Sequence, residues 1–217
     1  MTTLLERMRA ESAEELEKFA KLPLIGTLVS GTISRERYKG FLNDLYHVVW
    51  HFCPTMAAAA SHCPDSFGAV RYFFYEHIEE EKSHELWVLD DCEAVGGAAF
   101  ARAVSTGRPC NEVQGMVGFN YWVCEREHPC GALGMVYSLE AIASRVAGRA
   151  STGVAKALGL QLDPPVGVKF LSTHGPMDTE HVRELEEVLS SITDAQIADV
   201  ISNACRVNFR LFSSVFR

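Results

Sequence analysis

His174, Asp178 and His181 stand at i, i+4 and i+7 in the stretch Leu171-Ser172-Thr173-His174-Gly175-Pro176-Met177-Asp178-Thr179-Glu180-His181. At about 100° per residue on a helix, the three side chains point within about 60° of one another. The helix therefore turns a polar face toward whatever lies beneath it. Burying such a face is unfavourable unless its charges are paired or coordinated. Two imidazoles and a carboxylate on one helical face form a metal-ligand set, provided other elements supply the complement.

Nearly every other stretch also reads at helical period. Residues 3–20 follow a Thr cap with Leu4, Leu5, Met8, Leu16 and Phe19 on one side and acids on the other. After Pro23 comes a short apolar piece, Leu24 to Ser30. Ser34 opens a helix from Arg35 to about His62, which Pro54 is expected to kink. A third long helix is predicted from Ser66 to about Ala94, then a short piece over 98–104. A fourth segment runs from Asn111 to about Glu127, breaks at His128-Pro129-Cys130-Gly131, and resumes from Ala132 to about Ala157. A fifth, introduced by Asp163-Pro164-Pro165, crosses the opening motif to about Ser191, and Thr193-Asp194 caps the last. No strand, linker or low-complexity tract interrupts them. The pattern predicts an all-α bundle of seven or eight helices forming a single domain over 1–217.

The charge balance narrows the partners. A formal net charge of −8 lacks the basic patch that nucleic acid requires. No apolar run reaches the ~18–20 residues of a membrane span, and the N-terminus lacks a signal-peptide core, so a cytoplasmic protein is expected. Seven cysteines (Cys53, Cys63, Cys92, Cys110, Cys124, Cys130, Cys205) contain no Cys-x-x-Cys pair. They read as small buried hydrophobes rather than as a disulfide framework or a zinc site.

The third helix carries Glu81 and His84 at Glu-x-x-His spacing, with which helical di-iron and di-manganese proteins present a carboxylate and an imidazole inward. Apolar Ile78, Trp87 and Val88 flank that side, whereas Glu79 and Glu80 read as a solvated face. His77 repeats the i, i+4, i+7 pattern with Glu81 and His84; ligand, supporting hydrogen-bond donor and packed core histidine all remain open for it. In the fourth segment Glu140 is the lone acid between Glu127 and Asp163, set among Val136, Leu139, Ile142 and Ala143. A salt bridge to Arg145 or Arg149 would explain it; a bridging metal ligand is the preferred reading. Glu81, His84, Glu140, His174, Asp178 and His181 together supply three imidazoles and three carboxylates. Without thiolate, such a set suits two Fe or Mn ions better than a structural zinc.

With these motifs the chain resembles the haem-oxygenase-like di-iron oxidases and oxygenases, whose fold is shared with thiaminase-type and pyrroloquinoline-quinone-synthase-type proteins. The matching pieces are Glu81-x-x-His84-Glu85-Leu86-Trp87 followed by Asp90-Asp91, Tyr137-x-x-Glu140, and His174-x-x-x-Asp178-x-x-His181. The short Glu-x-x-His form is similar to that of the enzyme that decarboxylates medium-chain fatty acids to terminal alkenes. The resemblance implies a haem-oxygenase-like bundle with the six ligands named above and two Fe(II) per chain. It also implies O₂ as co-substrate and a small carboxylate substrate, a fatty acid or an amino acid, altered at a C–C, C–N or N–O bond. An external electron donor and a homodimer are compatible with it.

Two departures bear on rival activities. The first helix has no histidine to serve as a proximal haem ligand. The metal-independent thiaminase-type alternative needs a cysteine nucleophile, for which Cys53 and Cys130 are present, and leaves the six metal-type residues unexplained. Gly175-Pro176, inside the ligand motif, is expected to bend the helix and weaken the second metal site. Helix two places Tyr38, Phe41, Asp44, Leu45, His47, Val48 and His51 toward the interior. Tyr72, Phe73, Tyr121, Trp122 and Tyr137 are expected to add aromatic surface there.

Overall fold

The computed structural model describes residues 3–217, the side chains of residues 175–182 excepted. Among the described residues ten α-helices follow one another with no strand: α1 Leu4–Ala20, α2 Pro23–Ser30, α3 Arg35–His62, α4 Gly68–Glu81, α5 His84–Gly96, α6 Ala98–Thr106, α7 Asn111–Trp122, α8 Ala132–Leu158, α9 Lys169–Ser190 and α10 Ala195–Val215. The expected caps form. Thr3 accepts from the Glu6 amide while the Glu6 carboxylate accepts from the Thr3 amide, and Asp194 accepts from the amides of Gln196 and Ile197. The helix over Arg35–His62 continues through Pro54. Between α7 and α8 the chain makes a π turn, Val123–Glu127, and a 3₁₀ turn, Pro129–Gly131.

The expected single helix over 66–94 is two. Lys82 closes α4, and Ser83, at φ 73°, lies in the left-handed region before α5 begins at His84. For a non-glycine residue that conformation is unfavourable by about 1–3 kcal/mol, and such strain collects at functional sites. Here the turn falls between two candidate ligands.

α8 is the central element, packed against α9, α10 and α2. It can be buried on several sides because it carries glycine where other backbones cross it. A Cβ at Gly134 would lie 2.4 Å from the Ile201 carbonyl of α10, and one at Gly153 would lie 2.0 Å from the Leu28 carbonyl of α2. Buried polar groups between helices are matched: Asn120 on α7 and Asn208 on α10 exchange two amide hydrogen bonds of 2.8 and 2.9 Å. Among the described residues no helix is long and apolar enough to cross a membrane.

Candidate metal centre

Four helices aim donors at one place. Glu81 ends α4, His84 begins α5, Glu140 sits in the third turn of α8, and His174 lies in the second turn of α9. These four, with His77 of α4, are each 1–5% exposed. The turn at Lys82-Ser83 brings His84 Nδ1 to 2.9 Å from Glu81 Oε2, and His174 Nε2 comes to 3.8 Å from the same oxygen. On the other side, His77 Nε2 is 3.3 Å from Glu140 Oε1.

Two overlapping donor groups result: Glu81, His84 and His174, and then His77, Glu81 and Glu140. Within each, one ligand atom per residue lies within 4.8 Å of the others. Two ligands about 2.1 Å from one ion stand at most ~4.2 Å apart, so a modest contraction closes either group on a metal. The donors are imidazole nitrogen and carboxylate oxygen without thiolate, the chemistry that iron accepts. Glu81 belongs to both groups.

The imidazoles are preset for the task. His174 Nδ1 donates to the Phe170 carbonyl at 2.9 Å, which turns Nε2 toward Glu81 as the ring nitrogen left to bind an ion. The Phe170 ring stacks on His174 at 3.8 Å between centroids, and Trp87 stacks on His84 at 4.0 Å. Burial pushes the Glu81 carboxyl upward, but the His174 and His84 imidazoles beside it outweigh burial and hold the group well below the usual carboxylate range. The cluster thus keeps Glu81 as an anion despite its burial.

The salt bridge considered for Glu140 does not form. Arg145 turns outward to Glu17 at 3.5 Å and Arg149 is exposed; Glu140 meets His77 instead. His77, whose role the sequence left open, stands in the second donor group, edge-on to Phe52 and stacked on Phe73. Asp178, His181 and the Gly175-Pro176 pair fall in residues 175–182, outside the described side chains. Of the residues expected to face the interior from helix two, Phe41, Leu45 and Val48 line the cavity described below. Tyr38 instead donates to the Gly167 carbonyl, at 2.9 Å. Tyr72 and Trp122 are 65% and 50% exposed, so the expected inward aromatic surface does not include them.

α9 is held in place from α5. Val168 offers no side-chain cap, and Asp91 supplies it across the interface, accepting from the amides of Lys169 (2.7 Å) and Phe170 (3.0 Å). Asp91→Ala should lower stability by about 2–3 kcal/mol by orphaning two helix-start donors. Burial pushes the Asp91 carboxyl up to about 6, the two amides and Lys169 pulling the other way. A raised folded value means the group favours folding most below about pH 4 and loses that contribution as pH rises toward about 6. Relative to Asp91→Asn, which does not titrate, the wild type should gain stability between about pH 7 and about pH 4. The gain is bounded at about 3 kcal/mol and reduced by the α9 dipole, which favours the carboxylate. Denaturant titrations of both proteins across that interval check it, and a constant difference would contradict it.

A cavity of about 100 Å³ ends on the cluster. On the same measure a single water needs only about 10–15 Å³. Among the described residues its polar lining is Glu81, Glu140 and His174; the remainder, including Phe41, Leu45, Val146 and Phe212, is apolar. A separate polar cleft of about 530 Å³ between α4 and α9 reaches His77 from the surface and carries Glu76, Glu80, Arg183 and Glu187.

The fold has solved counterparts. A domain of unknown function with a heme oxygenase-like fold from Shewanella denitrificans superposes with a TM-score of 0.86 at 20% identity, covering 98% of this chain and 90% of that one. A TenA homolog from Pseudomonas syringae gives 0.79 at 14% identity, with 98% and 91% covered. Heme oxygenase-1 from the cyanobacterium Synechocystis, in complex with heme, gives 0.78 at 12%, with 99% and 90% covered. At these identities the likeness establishes the fold, which is all-α and haem-oxygenase-like. No curated protein matches the sequence. Residues 39–208, which span both donor groups, match the family described as iron-containing redox enzyme, and the chain belongs to that haem-oxygenase-like family.

Proposed function

We propose that this chain is a non-haem di-iron oxidase or oxygenase that uses O₂ to act on a monocarboxylic acid bearing an apolar chain. The observation that carries the reading is the apolar-walled cavity ending on two donor groups that share Glu81. His84, His174 and Glu81 would hold one ion. Glu81, Glu140 and His77 would hold the second, joined by Asp178 and His181 from α9. Two Fe(II) ions there would supply electrons to O₂ beside the substrate.

The protein's own contribution is positional. Stacking by Trp87 and Phe170 fixes two imidazoles, the Phe170 carbonyl selects the His174 tautomer, and the apolar walls exclude water from the reacting end. The same walls favour a fatty acid over an amino acid. An ammonium group buried there would need acceptors, and outside the metal cluster the described lining provides none.

Thiol catalysis on this fold would need an activated cysteine. Burial and the charges of Glu81 and Glu85 push Cys53 up to about 12, and a hydrogen bond with the Cys63 thiol, together with burial, pushes Cys130 far up; neither is a thiolate near neutrality. O₂ uptake by Fe(II)-loaded protein tests the proposal, comparing straight-chain monocarboxylic acids with α-amino acids of matched length. Uptake triggered by the acids, abolished by chelation and retained in Cys53→Ser is expected. Chelator-resistant turnover lost in Cys53→Ser would overturn it.

A further inference from the structure

The apolar cavity follows α8. On that helix its wall runs from Glu140 through Ala143 and Ala147 to Ala150. At 1.5 Å rise per residue, Ala147 stands ~10 Å and Ala150 ~15 Å from Glu140 along the axis. The far end is closed by α2, whose Ile25 and Leu28 complete the wall. One turn past Ala150, Gly153 lets the α2 backbone rest directly on α8, 2.0 Å from where a Cβ would stand. Gly31, the left-handed C-cap of α2, also lies against Gly153: a Cβ there would stand 3.0 Å from the Gly153 carbonyl oxygen. The closed end is therefore seated on backbone rather than on a side chain free to swing.

We propose that α8 is a ruler: the distance from Glu140 to the α2 crossing sets the length of alkyl chain the protein accepts, with Ala147 and Leu28 as its specificity-determining residues. The inference rests on the proposed function and sets the substrate carboxylate at the Glu81–Glu140 end of the cavity. An extended chain of 1.52 Å bonds at about 111° advances ~1.25 Å per bond, so the ~15 Å to Ala150 corresponds to about twelve bonds and the ~10 Å to Ala147 to about eight. Alanine at 143, 147 and 150 leaves room on the α8 side along this path; a bulky residue at one of them would end the cavity there.

Calorimetric titration of the Fe(II)-loaded, anaerobic full chain with saturated straight-chain acids of six to sixteen carbons tests this, because it reads binding without turnover. Affinity should rise about fourfold per methylene to an optimum near ten to twelve carbons, about the length of the cavity, and fall beyond it. Ala147→Phe should shorten the optimum by about three or four carbons, and Leu28→Ala should lengthen it by about one or two. An optimum unmoved in both variants overturns the ruler and leaves the proposed function standing, as does wild-type affinity that climbs through sixteen carbons. Should Ala147→Phe fail to fold, an unmoved optimum in Leu28→Ala overturns it alone. Binding of no acid of any length removes the ruler together with the fatty-acid substrate. Iron content of the same samples then shows whether the metal centre survives.

Discussion

Glu81→Ala is expected to abolish binding of both iron ions, whereas His84→Ala should spare one. Glu81 is the residue common to both donor groups, and it accepts from His84 while facing His174. Its loss leaves each group with two of its described donors and no charge shared between the ions. Loss of supporting groups around metal ligands typically weakens affinity about 10–100-fold, so loss of a shared ligand should exceed that range. His84 belongs only to the group with His174. Iron content after anaerobic loading and gel filtration separates the outcomes: close to none per chain for Glu81→Ala, close to one for His84→Ala. The fold should persist in both, since the surrounding core of Trp87, Phe170 and Val88 is untouched. Equal iron in the two variants would contradict a shared carboxylate.

Gly134→Ala is expected to destabilise the protein by about 2–4 kcal/mol, although inside a helix this exchange ordinarily stabilises by up to about 1 kcal/mol. The added methyl would stand 2.4 Å from the Ile201 carbonyl and 2.6 Å from the Cys205 amide of α10. Both are backbone atoms within a helix, so no side-chain rotation relieves the clash and α10 must move off α8. For a chain of this size the loss corresponds to a fall of about 5–15 °C in melting temperature. Gly148→Ala, on the same helix with nothing within 4 Å of the new methyl, should raise the melting temperature slightly. The opposed signs test packing against intrinsic helix propensity. Because Glu140 lies under two turns beyond Gly134, Gly134→Ala should also weaken iron binding, which Gly148→Ala should not.

Much of this centre could be read from residue pattern. Glu140 was visible because an acid isolated in an apolar helix needs a partner. Glu81 and His84 were visible by spacing. The turn between them was not: Lys82-Ser83 contains neither glycine nor proline, and a serine forced to φ 73° carries no propensity signal. His77 had the right period, but its neighbour Glu140 lies on another helix, so its position in the second group follows only from tertiary packing. Asp91 as the cap of α9 is likewise a contact across 78 residues. The cavity was illegible because Phe41, Leu45 and Val146 look the same in sequence whether they fill a core or line a space. Tyr72 and Trp122 show the converse: aromatic residues expected inside lie at the surface. Asp178 and His181, outside the described side chains, keep the standing their spacing gives them.

In the proposed centre one chain would hold two iron ions, with Glu81 a ligand common to both. Anaerobic Fe(II) titration of the wild-type protein, followed by Mössbauer spectroscopy of the loaded sample, tests it most directly. Saturation at two Fe(II) per chain is expected, with the two ions magnetically coupled. Saturation at one, or two ions with no coupling between them, would contradict it.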